Sequence, residues 1–237
     1  MLAAISTRQC SIPACDSAAV GVVQQQDGSL FAVCERHREK AAALGFRVVR
    51  PDDDPSALEE HELAQPRVGV GGPAPDIRLP MLDTGTGGVG GTIDVRAVAR
   101  GKPVALVFGS YSVPKFRKYL REIEALYQRY ADRVCFFLVY GKETELAKIG
   151  RKRAVVADEP ATLAERAALA QRLVDEYALS MPVLVDGLEH EVTRTFGAFP
   201  MRLYLIGASG RIVYEGALGP YAFQPSELEA AIQGELG

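Results

Sequence analysis

The chain has 237 residues, 48% of them hydrophobic and 24% charged, with a formal net charge of −3. This length suits one large domain with a small appendage, and the composition is that of an ordinary globular protein. The charge supplies no positive field for a phosphate backbone, which removes the basis for a general nucleic-acid partner, and no apolar run approaches the ~18 residues of a membrane span.

The opening MLAAISTRQC lacks a charged head followed by an apolar core, so no secretory signal is legible and the cytoplasm is the expected compartment. Cysteines in that compartment are reduced thiols or metal ligands. Three of the four cysteines form the pattern Cys10-x4-Cys15-x18-Cys34-x2-His37. Two short ligand pairs around a hairpin-length spacer suit a tetrahedral Zn²⁺ with three thiolates and one imidazole. The spacer carries β-like runs at Gly21–Val23 and Leu30–Val33 around the turn signal Asp27-Gly28, and ERHREKAAALGF follows as a short helix. Residues 1–48 are therefore expected to be a Cys3His module of zinc-knuckle or treble-clef-like ribbon type. So short a segment buries too little core to fold without a staple, and four ligands make the zinc structural. The alternative is a set of unrelated thiols beside a surface histidine. RHREK is too small a basic cluster to say what the module binds.

Residues 49–66, VRPDDDPSALEEHELAQP, are acidic and hold three prolines. They are expected to form an exposed connector with at most one helical turn, in which His61 has no role.

The domain expected over 67–237 opens with an extended, proline-punctuated segment, a glycine-rich loop and a short strand. PVALVFGS (103–110) is a continuous apolar run bounded by turn residues, suiting a strand buried on both faces. KFRKYLREIEALYQRYADR places Phe116, Tyr119, Leu120, Ile123, Leu126, Tyr127 and Tyr130 on one helical stripe. RVCFFLVY (133–140) is a second buried strand, in which Cys135 reads as a small buried hydrophobe. Residues 160–177 form a second amphipathic helix, SMPVLVD (180–186) a strand, and RLYLIGASGRIVYEG (202–216) a hairpin turned at Ala208-Ser209-Gly210. PSELEAAIQGEL closes the chain as a helix with Ser226 as N-cap and Glu229 completing a capping box. The order β-α-β-α-β-β-α, with crossovers first and a hairpin last, predicts an α/β thioredoxin-like fold.

The stretches FGSYSVPKFR, FFLVYGKE, MPVLVDGLEH, FGAFPMRLYLI and GRIVYEGALGPYAFQPSELEAAI together resemble the iodothyronine deiodinase family, especially its bacterial deiodinase-like members. The resemblance covers about residues 66–236. It implies a thioredoxin or peroxiredoxin-like oxidoreductase fold, and a homodimer as one assembly, although no dimer seam is legible. The family's corner reads Gly-Ser-x-Thr-nucleophile-Pro, the nucleophile being selenocysteine or cysteine. Gly109, Ser110, Ser112 and Pro114 stand in register, and Val113 stands at the nucleophile. The N-terminus of a helix lowers the pKa of a thiol or selenol, but valine has no ionisable atom. The family's next motif, Tyr-Ile-x-Glu-Ala-His, is matched by Tyr140 and Glu143, with Glu145 in place of the histidine.

Tyr111 reads as an aromatic wall of the corner, and Ser112 as a cap for the following helix. Met181-Pro182 matches the cis-proline strand start that faces the nucleophile in thioredoxin folds. Arg202 either orients an anion near that face or makes a surface salt bridge. The expected protein has lost thiol or selenol redox chemistry, carries a structural zinc, and binds a protein or small-molecule ligand at the thioredoxin-fold face. The alternatives are an enzyme working through Tyr140, Glu143, Glu145 and Ser112, a redox-responsive zinc site, and a regulator docking through the ribbon.

Overall fold

The computed structural model of the chain describes residues 21–24, 30–43, 47–49, 55–143, 158–219 and 222–237. The chain divides into two compact units, 1–62 and 63–237. In the first, β1 (Gly21–Gln24) lies between β2 (Leu30–Val33) and β3 (Arg47–Val49) in an antiparallel sheet, with α1 (Glu35–Ala43) between β2 and β3 in sequence. The hairpin and the helix after Cys34 are where the sequence puts them. Cys10 and Cys15 lie outside the described residues. The expected exposed connector instead contains α2 (Pro55–Leu63), and Glu60, His61 and Leu63 are buried.

The second unit is built on one seven-stranded sheet of order β10-β9-β6-β7-β8-β4-β5. Its strands are β4 (Arg78–Asp83), β5 (Gly88–Asp94), β6 (Val104–Gly109), β7 (Cys135–Tyr140), β8 (Val183–Val185), β9 (Arg202–Ile206) and β10 (Ile212–Glu215). β6, β7 and β8 run parallel, β9 and β4 run antiparallel to their central neighbours, and β5 and β10 form the edges. Period-two alternation sorts the central side chains onto two faces. Ala105, Val107, Phe136, Leu138, Tyr140, Leu203 and Leu205 join one core, while Leu106, Phe108, Phe137, Val139 and Tyr204 join the other. Each apolar run is continuous because both faces are covered.

Three helices supply the first core: α4 (Pro114–Tyr130), α5 (Leu163–Tyr177) and α7 (Pro225–Leu236). α4 buries Phe116, Leu120, Ile123 and Leu126, the inner part of its expected stripe, while its tyrosines lie at the margin. α5 starts at Leu163, with Thr162 and Glu165 forming a capping box. On the other face sit α3 (Val95–Ala99) and α6 (Glu191–Phe196). The sequence gives little signal for α6, since Val192, Thr193 and Thr195 are β-branched and poor helix formers. Its chain reversal is enforced at Gly197, which has φ 55° and where a Cβ would lie 2.1 Å from the Pro66 nitrogen.

The cap expected for the terminal helix is corrected. α7 begins at Pro225, whose fixed φ suits the first helical position, so Gln224 is the N-cap and makes no side-chain bond. Glu229 turns instead to α4, pairing with Arg129 and accepting from the Tyr130 hydroxyl at 3.0 Å. With the β6-α4-β7 crossover, the antiparallel β9-β10 hairpin and a closing helix, this unit has the expected mixed α/β, thioredoxin-like fold.

Candidate functional site

The corner at residues 110–113 joins the end of the central strand β6 to α4. Gly109 is required there because a Cβ would meet the Phe116 ring at 2.6 Å, so the first turn of α4 packs directly on the strand. Ser110, Tyr111, Ser112 and Val113 are all buried, Val113 at 3% exposure within the core shared by Phe116 and Met201. The Val113 amide closes a turn on the Ser110 carbonyl at 3.4 Å, and Pro114 opens the helix. Val113 is the N-cap and makes no side-chain bond, so Ser112, expected as the cap, does not hold the N-cap position. The serine lies within the turn, one residue before the N-cap.

Beneath the corner lies a chain of polar contacts that the sequence only half predicts. The Tyr140 hydroxyl, at the end of β7, donates to Glu143 Oε1 and accepts from the Tyr111 amide at 3.1 Å. Glu143 Oε2 accepts from the Ser112 amide at 2.7 Å. One buried carboxylate thus fixes both a phenol and the backbone of the corner. Burial pushes the Tyr140 hydroxyl well above the usual tyrosine range, with the neighbouring Glu143 charge acting in the same direction. Glu145 lies outside the described residues.

Glu143 is held in turn. Its amide donates to Glu159 Oε2 at 2.6 Å, and Glu159 Oε1 pairs with the guanidinium of Arg166. Arg166 is fully buried and also donates to the carbonyls of Asp186, at 2.9 Å, and Gly187. The Asp186 carboxylate accepts from the Val192 and Thr193 amides at 3.3 and 2.8 Å, anchoring the start of α6. His190 Nε2 stands 3.6 Å from Glu159 Oε1. Burial raises the carboxyl groups of Glu159 and Asp186 above the usual range, outweighing the hydrogen bonds and the Arg166 charge that pull them down. Sequence reasoning missed Glu159, Arg166, Asp186 and His190 as site residues. One signal was present: Arg166 sits three residues after Leu163 and four before Ala170, a cation on the apolar stripe of α5.

Tyr111, expected as a wall, bridges two helices. Its hydroxyl donates to Glu176 Oε2 at 2.5 Å, and its ring lies under the guanidinium groups of Arg117 and Arg172, 5.3 and 4.6 Å from the ring centre. Burial and the bond to Glu176 raise its hydroxyl above the ordinary value.

The cis proline is not at Met181-Pro182. Among the described residues the cis bond is Phe199-Pro200, which leads into β9. Sheet order gives the reason for the correction. β9 runs antiparallel to β6, with Arg202 opposite Phe108, so its start lies beside the corner. β8 is parallel to β7 and one strand further out, with Val183 opposite Leu138, so Met181 and Pro182 lie towards the other end of the sheet. Arg202 is buried rather than at the surface. It donates to Glu215 Oε1 at 2.7 Å and to the Tyr204 hydroxyl at 3.4 Å, on the face opposite Tyr140. Cys135 is half-buried, and burial raises its thiol.

In the other unit, Cys34 is buried at the start of α1, and its Sγ lies 3.4 Å from His37 Nδ1. Among the described residues no group of three or more metal-ligating side chains comes together. No helix of the described residues is long and apolar enough to cross a membrane.

A sequence model described as iodothyronine deiodinase matches residues 59–234. Thyroxine 5-deiodinase of Gallus gallus is 32% identical over 162 residues, covering 67% of this chain and 60% of that one. Type I iodothyronine deiodinase of Xenopus laevis is 29% identical over 133 residues, covering 56% and 52%. The chain thus spans little more than half the length of these two relatives. A solved structure from Chlorobium tepidum, assigned as a thiol:disulfide interchange protein, superposes with a TM-score of 0.51 at 19% identity, covering 72% of this chain and 99% of that one. At that identity the likeness speaks for the fold alone.

Proposed function

The chain belongs to the iodothyronine deiodinase family, and on that premise we propose that it is a member without thiol or selenol catalysis that acts by binding. The observation that carries this reading is Val113. It occupies the nucleophile's place in a corner whose other parts persist, and an aliphatic side chain cannot donate or accept electrons or hold a proton. Tyr140 and Glu143 still hold the corner in shape, so its geometry does not depend on a reactive atom. The decisive experiment is reductive turnover by the purified chain with a dithiol reductant, using an iodothyronine, a peroxide and a disulfide in turn. Rates equal to a protein-free control are expected. Turnover above that control, or mass spectrometry finding sulfur or selenium at residue 113, would end the proposal.

A second reading is favoured by the buried Tyr140–Glu143 pair, a phenol and a carboxylate in direct hydrogen-bond contact. In that reading the pocket carries non-redox acid–base chemistry through these groups and Glu145. A pH–rate profile that changes with Glu143→Gln, for any reaction the chain accelerates, would support it.

For the N-terminal unit the proposal is a structural Zn²⁺ held by Cys10, Cys15, Cys34 and His37. Support comes from the ligand spacing and from the Cys34–His37 pair. Two ligands sharing one tetrahedral zinc stand about 3.5 Å apart, close to the 3.4 Å between Sγ and Nδ1. A bound zinc would organise the start of α1 and the hairpin before it. Elemental analysis should find one zinc per chain, and Cys34→Ser should abolish it; a full metal load in that variant would refute the ligand set.

A further inference from the structure

α4 begins against the electrostatic preference of helices. The positive end of a helix dipole favours carboxylates, yet the first turn of α4 holds none. Its first two turns carry Lys115, Arg117, Lys118 and Arg121 instead. Arg117, Lys118 and Arg121 lie on the side of the helix away from its buried stripe, and Arg172 of α5 joins them across Tyr111. Among the ion pairs of the described residues, none involves Lys118, Arg121 or Arg172. The chain as a whole is acidic, so among the described residues this is a local accumulation of cations outside any ion pair and not a by-product of composition.

Two of these cations are held in place. The Arg117 and Arg172 guanidinium groups lie 5.3 and 4.6 Å from the Tyr111 ring centre, Arg117 donates to the Tyr111 carbonyl, and the ring is fixed by its own bond to Glu176. Guanidinium groups oriented before binding lose less freedom when they meet carboxylates.

We propose that this face, where Arg117 of α4 and Arg172 of α5 converge on Tyr111, docks an acidic polypeptide segment of a partner protein. The cations are spread over two turns of one helix and across to a second, which suits carboxylates distributed along a chain better than one small anion. Tyr111 is buried, so the patch offers no aromatic platform for stacking bases, and a nucleic-acid strand fits it poorly. The inference deepens the binding reading of the corner by naming the partner's chemistry.

The test is fluorescence anisotropy with the full-length chain and two labelled probes, a Glu/Ser peptide and a Gln/Ser peptide of equal length. The acidic probe should bind at least about tenfold more tightly than the neutral one and weaken as salt shortens the screening length. The Lys118→Glu/Arg121→Glu/Arg172→Glu variant should lose that preference. The milder Lys118→Gln/Arg121→Gln variant changes two exposed positions only, so it should weaken the preference with its thermal midpoint unchanged, and lost binding there cannot be put down to unfolding. Equal binding of the two peptides, unchanged binding by either variant, or tighter binding of a single-stranded oligonucleotide of matched charge would each overturn the proposal. Reductive turnover by the chain would remove the non-redox reading while leaving this titration to be judged alone.

Discussion

Replacing Arg166 with Met tests whether the polar chain beneath the corner is a unit. Methionine has similar length and no charge, and Arg166 has 0% exposure, so the change deletes the donors without opening a large void. It leaves the Glu159 carboxylate and the carbonyls of Asp186 and Gly187 without their guanidinium. Removing one partner of a buried pair costs about 3–5 kcal/mol. The Glu159 side chain keeps 27% exposure and can recover water, which puts the expected loss near the lower end, about 3 kcal/mol. The Glu159 carboxyl is already raised by burial, with Arg166 the first influence opposing it. A raised carboxyl contributes stability at low pH that is lost as pH rises through its folded pKa, and without Arg166 that loss grows. The variant should therefore be more nearly wild type at about pH 5 than at about pH 7.5. Urea unfolding followed by far-ultraviolet circular dichroism suits a chain without tryptophan. Glu159→Gln/Arg166→Met should recover part of the stability, and the Ser112 amide should exchange faster in the single variant because its acceptor is positioned through Glu159. A loss under about 1 kcal/mol, the size of a surface pair, or a double variant as unstable as the single one, would refute the argument.

Tyrosinate absorbance during alkaline titration should show Tyr140 and Tyr204 silent at the pH where free tyrosine ionises, since burial raises Tyr140 and carries Tyr204 up to about 12. Both are raised in the folded state, so their stabilisation is complete below about pH 10 and is lost as pH climbs towards the folded values; nine ordinary titrations would refute this. Gly197→Ala combines a left-handed φ with a Cβ 2.1 Å from the Pro66 nitrogen, and should cost more than about 1 kcal/mol in urea unfolding, whereas an unchanged midpoint would mean that the loop yields freely. Gly109→Ala presses a methyl into the Phe116 ring at 2.6 Å and should cost about 1–3 kcal/mol, with Phe116→Leu in the same chain recovering part of it.

What the sequence made legible is what alternation and helical spacing encode. β6 and β7 read directly because every residue or nearly every residue is apolar, a pattern that arises only when both faces of a strand are covered. α4 read as a helix because its buried residues recur at turn spacing. α2 and α6 did not, the first being acidic and proline-led, the second short and β-branched. The β5 edge was seen only as a short strand after a flexible loop, since Gly88, Gly90 and Gly91 carry no side chain to show alternation. The cis proline was misplaced for a different reason. Met181-Pro182 and Phe199-Pro200 both precede apolar strands, and what separates them is sheet order, a non-local fact that no short window contains.

The same division runs through the site. Val113, Tyr140 and Glu143 were legible because they belong to contiguous motifs, whereas Glu159, Arg166 and Asp186 come from three separate segments and meet only in the fold. Their arrangement bears on the proposed reading of Val113. The corner's backbone is fixed through the Ser112 and Tyr111 amides, and both bonds end on side chains of the β7 end, not on residue 113. Residue 113 is therefore free of structural duties that require a polar atom, and an aliphatic side chain can join Phe116 and Met201 in the core without leaving a hydrogen-bond partner stranded. The corner's backbone is thus held by Tyr140 and Glu143 and not by residue 113, which is the arrangement that the proposed binding role requires.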